Sequence, residues 1–362
     1  MPKNCRALQF AGLLLCGVGF AICSSGGVTG EPGSHFTVDS WSTREGLPQS
    51  SVISVIQTRD GYLWLGTLNG LVRFDGSHFK VFDEENTPGL KSDRIVFLFE
   101  DTRTNLWVGT DAGGVALVKD GRVTNFEIGR SGHDGGLLYA FEDLNGLVWF
   151  CTADGRSGYY QNGKMQVVPG TISKELLLRA SKTLLPSRSG GFWVMQNGRV
   201  QKWRDDRPEK DFGPFPWGTV PVSSASEDKD GNLIVGTLGA GIFWYDADGK
   251  CRQISKEQGL SSTFVLSLCM DRDGNLWVGT DGDGLDRLKR KIFNAPAEFH
   301  PWPAQSLAED AQGGLWMTFG ALGASYWRTN SMQDFHVGRS QNAWTVLVDH
   351  EQQIWMGTRE EG

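Results

Sequence analysis

The amino-acid sequence predicts an all-β protein assembled from repeated four-stranded units. Three observations support this prediction: a short phrase that returns about every 42 residues, turn dipeptides between short runs of β-branched residues, and no helical periodicity after the first 30 residues. The phrase is clearest at 273–280, where it reads Asp-Gly-Asn-Leu-Trp-Val-Gly-Thr. A fixed period of that length is typical of folds whose repeating unit is a small antiparallel sheet.

Eight copies of the phrase share a large apolar residue at their centre. Successive centres are 39 to 44 residues apart, which is long enough for four short strands and too long for a heptad repeat. We expect these residues to be the structural core of the repeats, packed between neighbouring units, and not to bind a cofactor. The centres are Trp64, Trp107, Trp149, Trp193, Ile234, Trp277, Trp316 and Trp355.

The unit at 46–82 shows the internal pattern of a repeat. Runs rich in β-branched and aromatic residues favour strands, and Asp-Gly or Asn-Gly pairs between them favour tight hairpin turns. Glycine suits the second turn position because such turns need a positive φ. The predicted strands are 52–56, 62–67, 71–74 and 78–82, and the turns are Asp60-Gly61, Asn69-Gly70 and Asp75-Gly76.

Stacking of the units determines the predicted architecture. An isolated four-stranded sheet exposes its faces, and radial stacking around a channel buries them, so the pattern favours a β-propeller of four-stranded antiparallel blades. We expect about seven blades, at 31–340, plus the start of an eighth unit at 341–362. That last segment is either the beginning of a second propeller or an incomplete final blade, and its abrupt end indicates a fragment. The run at 35–38 resembles a fourth strand that completes the last blade of a ring.

The N-terminal 30 residues predict a signal peptide and short leader. Lys3 and Arg6 precede an apolar run at 7–22, and small residues follow at 23–30. The run of about 16 residues is shorter than the roughly 20 that a membrane-spanning helix needs, which favours cleavage over anchoring. Lipidation at Cys16 or Cys23 is a further alternative. The predicted location is therefore outside the cytoplasm.

Charge and composition argue against several classes of function. The net charge of −7 disfavours nucleic-acid binding. Beyond the leader, Cys151, Cys251 and Cys269 are odd in number and match no zinc spacing, so we expect buried small side chains. The six histidines are scattered, and we predict neither a metal site nor a cofactor.

The best-preserved phrases resemble a known family. Gly46-Leu47-Pro48, the phrase at 60–67 and Gly70-Leu71-Val72-Arg73-Phe74-Asp75-Gly76 look like the two-component regulator propeller repeat, and the resemblance runs from residue 35 to the end. It implies the N-terminal periplasmic sensor part of a bacterial sensor histidine kinase. Kinase and phosphorelay activity would then reside in a missing C-terminal region, and one membrane helix per chain would favour a homodimer.

Two tryptophans outside the repeat core are the candidate ligand-binding residues. Trp217 and Trp302 lie in proline-containing connections at 214–217 and 300–303, where an exposed indole would offer a flat surface to a sugar ring. The alternative is that both indoles fold over blade edges. The expected ligand is an unidentified small molecule, and the family resemblance extends this to an oligosaccharide.

Three functions follow, in order of preference. The first is an extracytoplasmic ligand-sensing or scaffold propeller of a two-component sensor, non-catalytic within these residues. The second is a secreted propeller that acts as a lectin or protein-binding module. The third is a propeller enzyme, either a quinoprotein or a lyase, which the sequence disfavours because it shows no catalytic constellation.

Overall fold

A computed structural model of the chain describes eleven segments. The described residues are 36–111, 114–119, 121–128, 137–143, 145–152, 156–168, 183–205, 207–290, 303–328, 331–335 and 342–358. The predicted signal peptide and leader at 1–30 lie outside the described residues. Within those segments, no helix is long and apolar enough to cross a membrane.

The all-β prediction is confirmed, with seven four-stranded antiparallel sheets and one two-stranded sheet in the described segments. Strand β1 (Phe36–Trp41) precedes the repeats. Blade one contains β2 (Ser54–Gln57), β3 (Leu63–Thr67), β4 (Gly70–Phe74) and β5 (Phe79–Phe82). Blade two contains β6 (Ile95–Glu100), β7 (Leu106–Thr110), β8 (Gly114–Lys119) and β9 (Arg122–Glu127). Blade three contains β10 (Leu137–Glu142), β11 (Val148–Thr152), β12 (Ser157–Gln161) and β13 (Lys164–Val168).

The next three blades continue the meander. Blade four contains β14 (Leu184–Pro186), β15 (Phe192–Gln196), β16 (Arg199–Arg204) and β17 (Arg207–Pro214). Blade five contains β18 (Val222–Glu227), β19 (Leu233–Thr237), β20 (Ile242–Tyr245) and β21 (Cys251–Ile254). Blade six contains β22 (Val265–Met270), β23 (Leu276–Thr280) and β24 (Leu285–Arg290), and short 3-10 helices occur at Thr43–Glu45 and Lys256–Gln258.

The N-terminal strand completes blade six. Strand β1 pairs antiparallel with β24, from Phe36 opposite Arg290 to Trp41 opposite Leu285. The chain accordingly divides into two compact units, with the division after Arg290. This differs from the predicted boundary at residue 340, because β1 acts as the fourth strand of the sixth repeat and not of the seventh.

Contacts join blade six to blade one within the first unit. In each well-preserved phrase the glycine faces the first strand of the next blade, because a Cβ there would collide with it. A Cβ on Gly66 of blade one would lie 3.0 Å from Ile95 of blade two, and one on Gly279 of blade six would lie 2.3 Å from the carbonyl oxygen of Val52 in blade one. The glycine of the phrase is therefore the point of close approach at both interfaces.

A recurring hydrogen bond joins the turns of neighbouring blades. The backbone N–H of Arg59 in blade one donates to the Glu100 carboxylate of blade two at 3.0 Å. The N–H of Arg272 in blade six donates to Oε1 of Gln57 in blade one at the same distance. Glu100 and Gln57 each lie seven residues before the central tryptophan of their repeat, so the same position of the repeat provides both bonds.

The second compact unit, 291–362, contains the seventh and eighth repeats. Blade seven consists of β25 (Ser306–Glu309), β26 (Leu315–Thr318), β27 (Ala324–Arg328) and β28 (Ser331–Phe335). The eighth repeat forms a separate two-stranded sheet of β29 (Ala343–Val348) and β30 (Ile354–Thr358). The N–H of Ala311 donates to Oε1 of Gln352 at 2.7 Å, which joins blade seven to that sheet.

Candidate functional site

The central residues of the repeats differ in burial. Trp149 and Trp316 are half-buried, and Trp355 in the two-stranded sheet is 58% exposed. The buried centres pack against the following blade, as Trp277 does against Phe74, with ring centroids 5.9 Å apart. The buried centres are Trp64, Trp107, Trp193, Ile234 and Trp277.

A carboxylate that the sequence analysis missed holds each typical repeat together. Asp271 lies six residues before Trp277, and its Oδ2 accepts from the indole N–H at 2.8 Å. Its Oδ1 accepts from the backbone N–H of Asn275 at 2.7 Å, which fixes the turn. In the third repeat, the indole N–H of Trp149 holds the pKa of Asp143 below its usual range. The sequence signal is an aspartate six residues before the tryptophan, and it serves the turn and the core.

The structure does not support an exposed ligand surface at Trp217. The residue is only 5% exposed, and its ring stacks on Phe215 at 4.6 Å and packs against Phe243 at 5.0 Å. The connection after β17 folds onto blade five because this buries two aromatic rings in one apolar cluster. Trp217 is therefore part of the core, as in the alternative interpretation. Trp302 lies outside the described residues.

The cysteines are free thiols with low reactivity. Cys151 is buried, and Cys251 and Cys269 are half-buried. Burial raises the pKa of Cys251 to about 12 and that of Cys269 to about 11, so both remain protonated near neutral pH. In the segments that the structure describes, no group of three or more His, Cys, Asp or Glu side chains is arranged to hold a metal ion.

A cleft between blades one and two has a volume of about 680 Å³. One wall is a row across three strands of blade one, in which Trp64 lies opposite Arg73 and Arg73 lies opposite Lys80. The facing wall is a row across three strands of blade two. It is aliphatic and consists of Leu106, Val118 and Val123.

The small side chains of the aliphatic wall explain why the cleft is open. At the corresponding positions of blade one, which face blade six, the row is Leu63, Phe74 and Phe79. Phe74 stacks on Phe79 at 4.3 Å and packs edge-on against Trp41 of β1 at 5.3 Å, so that interface is filled by aromatic rings. Blade two has two valines where blade one has two phenylalanines, and the missing rings leave the cleft.

The remaining lining of the cleft is suited to binding. Leu71 and Leu90 extend the apolar surface, and the Phe82 ring lies 5.5 Å from that of Trp64. At the turn end, the Glu100 carboxylate already accepts from the N–H of Arg59. Among the described residues that line the cleft, none is a histidine or a cysteine.

The fold and its recurring contacts define a repeat β-propeller. The particular repeat is that of the two-component regulator propeller: the family model matches residues 46–69, 89–112 and 259–282. These matches lie in the first, second and sixth repeats, and the chain therefore carries repeats of this family. No curated protein matches the sequence.

Three solved structures are similar to this chain, and the first of them supports the fold. The extracellular domain of a hybrid two-component system of B. thetaiotaomicron matches with a TM-score of 0.57 and 15% identity, over 89% of this chain and 52% of that one. A one-component system domain of the same organism matches with a TM-score of 0.44 and 19% identity, over 89% and 51%. A gluconolactonase of Xanthomonas campestris matches with a TM-score of 0.46 and 14% identity, over 67% and 88%. This chain spans about half the length of the two extracellular domains.

Proposed function

We propose that this chain is the extracytoplasmic ligand-sensing and scaffold propeller of a two-component sensor. The observation that carries the proposal is the regulator propeller repeat, matched in three separate blades. A similar fold in the extracellular domain of a hybrid two-component system is consistent with it. Signal output would come from a region outside these residues, and the propeller would contribute ligand recognition.

Location outside the cytoplasm is part of the proposal. Its support is the N-terminal order of basic, apolar and small residues, which is typical of an export signal. In the proposed role, ligand binding would shift the equilibrium between two signalling states by its differential affinity for them.

The test combines binding with signalling. The exported chain is screened by thermal shift against small organic acids and oligosaccharides, because a ligand that binds only the folded state raises the midpoint of unfolding. Each hit is then added to the native bacterium and to a strain that lacks the gene, and transcription is compared. We expect a hit that changes transcription only in the strain that has the gene.

Two outcomes would contradict the proposal. Recovery of a chemically altered ligand after incubation with the purified chain would identify an enzyme. Strong binding on a glycan array by a chain whose deletion leaves transcription unchanged would identify a secreted lectin. A transcriptional response with the ligand recovered intact supports the sensor.

A further inference from the structure

The row of Trp64, Arg73 and Lys80, which forms one wall of the cleft, has a counterpart with different charges in blade six. There Trp277 lies opposite Arg287, and Arg287 lies opposite Asp39 of β1. Asp39 accepts from the Arg287 guanidinium at 2.7 Å, and Lys289 lies 3.2 Å from the same carboxylate. The arginine of blade six is therefore neutralised by an acid on the next strand.

Blade one has a lysine at the position of that acid. Arg73 and Lys80 are directly opposite neighbours on one face of the sheet. The Arg73 guanidinium lies 4.4 Å from the centre of the Tyr62 ring, and Lys80 Nζ lies 5.1 Å from that of Phe82. Within the described segments neither cation forms an ion pair. Two like charges in this relation repel each other, and an anion bound between them would relieve that repulsion.

The cleft joins this pair of cations to an apolar wall. The lining also contains the cations Arg59 and Lys119 and the carboxylates Asp60 and Glu100, and Glu100 is paired with Arg59. Across the gap, Val118 and Val123 present methyl groups, and Trp64 lines the same cleft. A ligand that matches these surfaces carries one negative group and an apolar ring or chain, because each part then meets its complementary wall.

We propose that the cleft between blades one and two is a binding site for small organic anions with an apolar body. The carboxylate of such a ligand lies between Arg73 and Lys80, and its ring or chain lies against Val118 and Val123. This assignment rests on the proposed sensing function and names the ligand class for it. It places recognition between two neighbouring blades of the first compact unit.

The test uses 2-naphthoate as the probe and the neutral alcohol 2-naphthylmethanol as its uncharged counterpart. Binding to the full chain is measured by isothermal titration calorimetry. We expect saturable binding of naphthoate with a stoichiometry near one, and at least about tenfold weaker binding of the alcohol, a difference of about 1.4 kcal/mol. No saturable binding of naphthoate would overturn the proposal.

Two substitutions test the site, and we expect neither of them to destabilise the protein. Lys80→Asp gives Arg73 the partner that Arg287 has in blade six, so the variant should unfold at a higher denaturant concentration while it binds naphthoate at least about tenfold more weakly. Val123→Phe restores the ring found at Phe79 and should abolish binding by filling the space. Unchanged affinity in both variants would overturn the proposal.

The matched control removes two cations from the same row of another blade. In blade four, Trp193 lies opposite Lys202 and Lys202 lies opposite Lys210. The double variant Lys202→Gln, Lys210→Gln should bind naphthoate like the unmodified chain, and a loss equal to that of Lys80→Asp would show a nonspecific charge effect and contradict the site. If naphthoate does not bind the cleft but another ligand changes transcription only in the strain that has the gene, the site is wrong and the sensor function still stands.

Discussion

Blade one meets blade two differently from how blade six meets blade one, although the same repeat forms both interfaces. At the interface of blades six and one, Phe74 and Phe79 fill the space beside Trp277. At the interface of blades one and two, Val118 and Val123 stand at the corresponding positions and leave a cleft. The repeat therefore specifies how blades stack, and residues outside its signature decide whether the outer part of an interface is filled.

The charges differ at the same two interfaces. Arg287 pairs with Asp39 in blade six, whereas Arg73 lies beside Lys80 in blade one. Since both rows begin with the tryptophan of the repeat, the core and the candidate site share one row of side chains. A single position on the outermost strand changes that row from a neutralised ion pair to a pair of like charges.

The largest predicted effect comes from removing a tryptophan from the filled interface. Trp277→Ala should lower the free energy of unfolding by roughly 3 to 5 kcal/mol, because a large buried ring is lost and the Asp271 carboxylate loses a donor. Trp64→Ala should cost at least about 1 kcal/mol less, since its ring borders the open cleft. Urea denaturation of both variants measures the difference, and equal costs would show that the interfaces are packed alike.

Exchange of valine and phenylalanine at corresponding positions should move stability in opposite directions. Phe79→Val creates a void in the filled interface and should cost about 2 kcal/mol. Val123→Phe buries new apolar area in the open interface and should add about 1 kcal/mol. Urea denaturation midpoints measure both changes, and destabilisation by Val123→Phe would contradict the open space.

The ion pair of blade six should give a small, pH-dependent contribution. Hydrogen bonding to Arg287 holds the pKa of Asp39 below its usual 3.8. The stabilisation is therefore present above pH 3.8 and is lost as the pH falls through the lower, folded-state pKa. Asp39→Asn should cost about 0.5 kcal/mol at pH 7, because the pair is partly exposed, and less as the pH approaches 3.

The corresponding change in blade one is the control for that prediction. Lys80→Asn removes one of two like charges and should leave stability unchanged or raise it slightly at pH 7. Denaturation of both variants at several pH values checks the contrast. A cost for Lys80→Asn equal to that of Asp39→Asn would mean that Lys80 has a stabilising partner.

The smallest effect is expected in the two-stranded sheet. Trp355 keeps the repeat's bond to Asp349, at 2.6 Å, but its ring is 58% exposed. Trp355→Ala should therefore cost about 1 kcal/mol or less, since little apolar surface returns to water. A cost close to that of Trp277→Ala, measured in the same way, would show that the ring is buried in solution.

The sequence predicted the sheets because the strands and turns of each repeat are close in the chain. Turn dipeptides such as Asp60-Gly61 and runs rich in β-branched residues define a repeat within about 40 residues. The division after Arg290 was not predicted, because it depends on the pairing of β1 with β24, some 250 residues apart. Resemblance of 35–38 to a fourth strand indicated the role of β1 but not its partner.

The cleft was harder to predict for a related reason. It depends on which residues lie opposite each other across strands and blades, as Arg73 and Lys80 do, and not on any contiguous motif. Trp217 was a candidate ligand-binding residue because it is an aromatic residue in a proline-containing connection. Its ring is buried against Phe243 instead. An alignment of the eight repeats by strand position would have shown the lysine at the position of Asp39.

The most direct test is a crystal of the full chain soaked with 6-bromo-2-naphthoate and measured at the bromine absorption edge. We expect an anomalous peak between Val123 of blade two and the row of Trp64, Arg73 and Lys80, and none between blades six and one. A peak at the interface of blades six and one, or none in the cleft at saturating concentration, would contradict it.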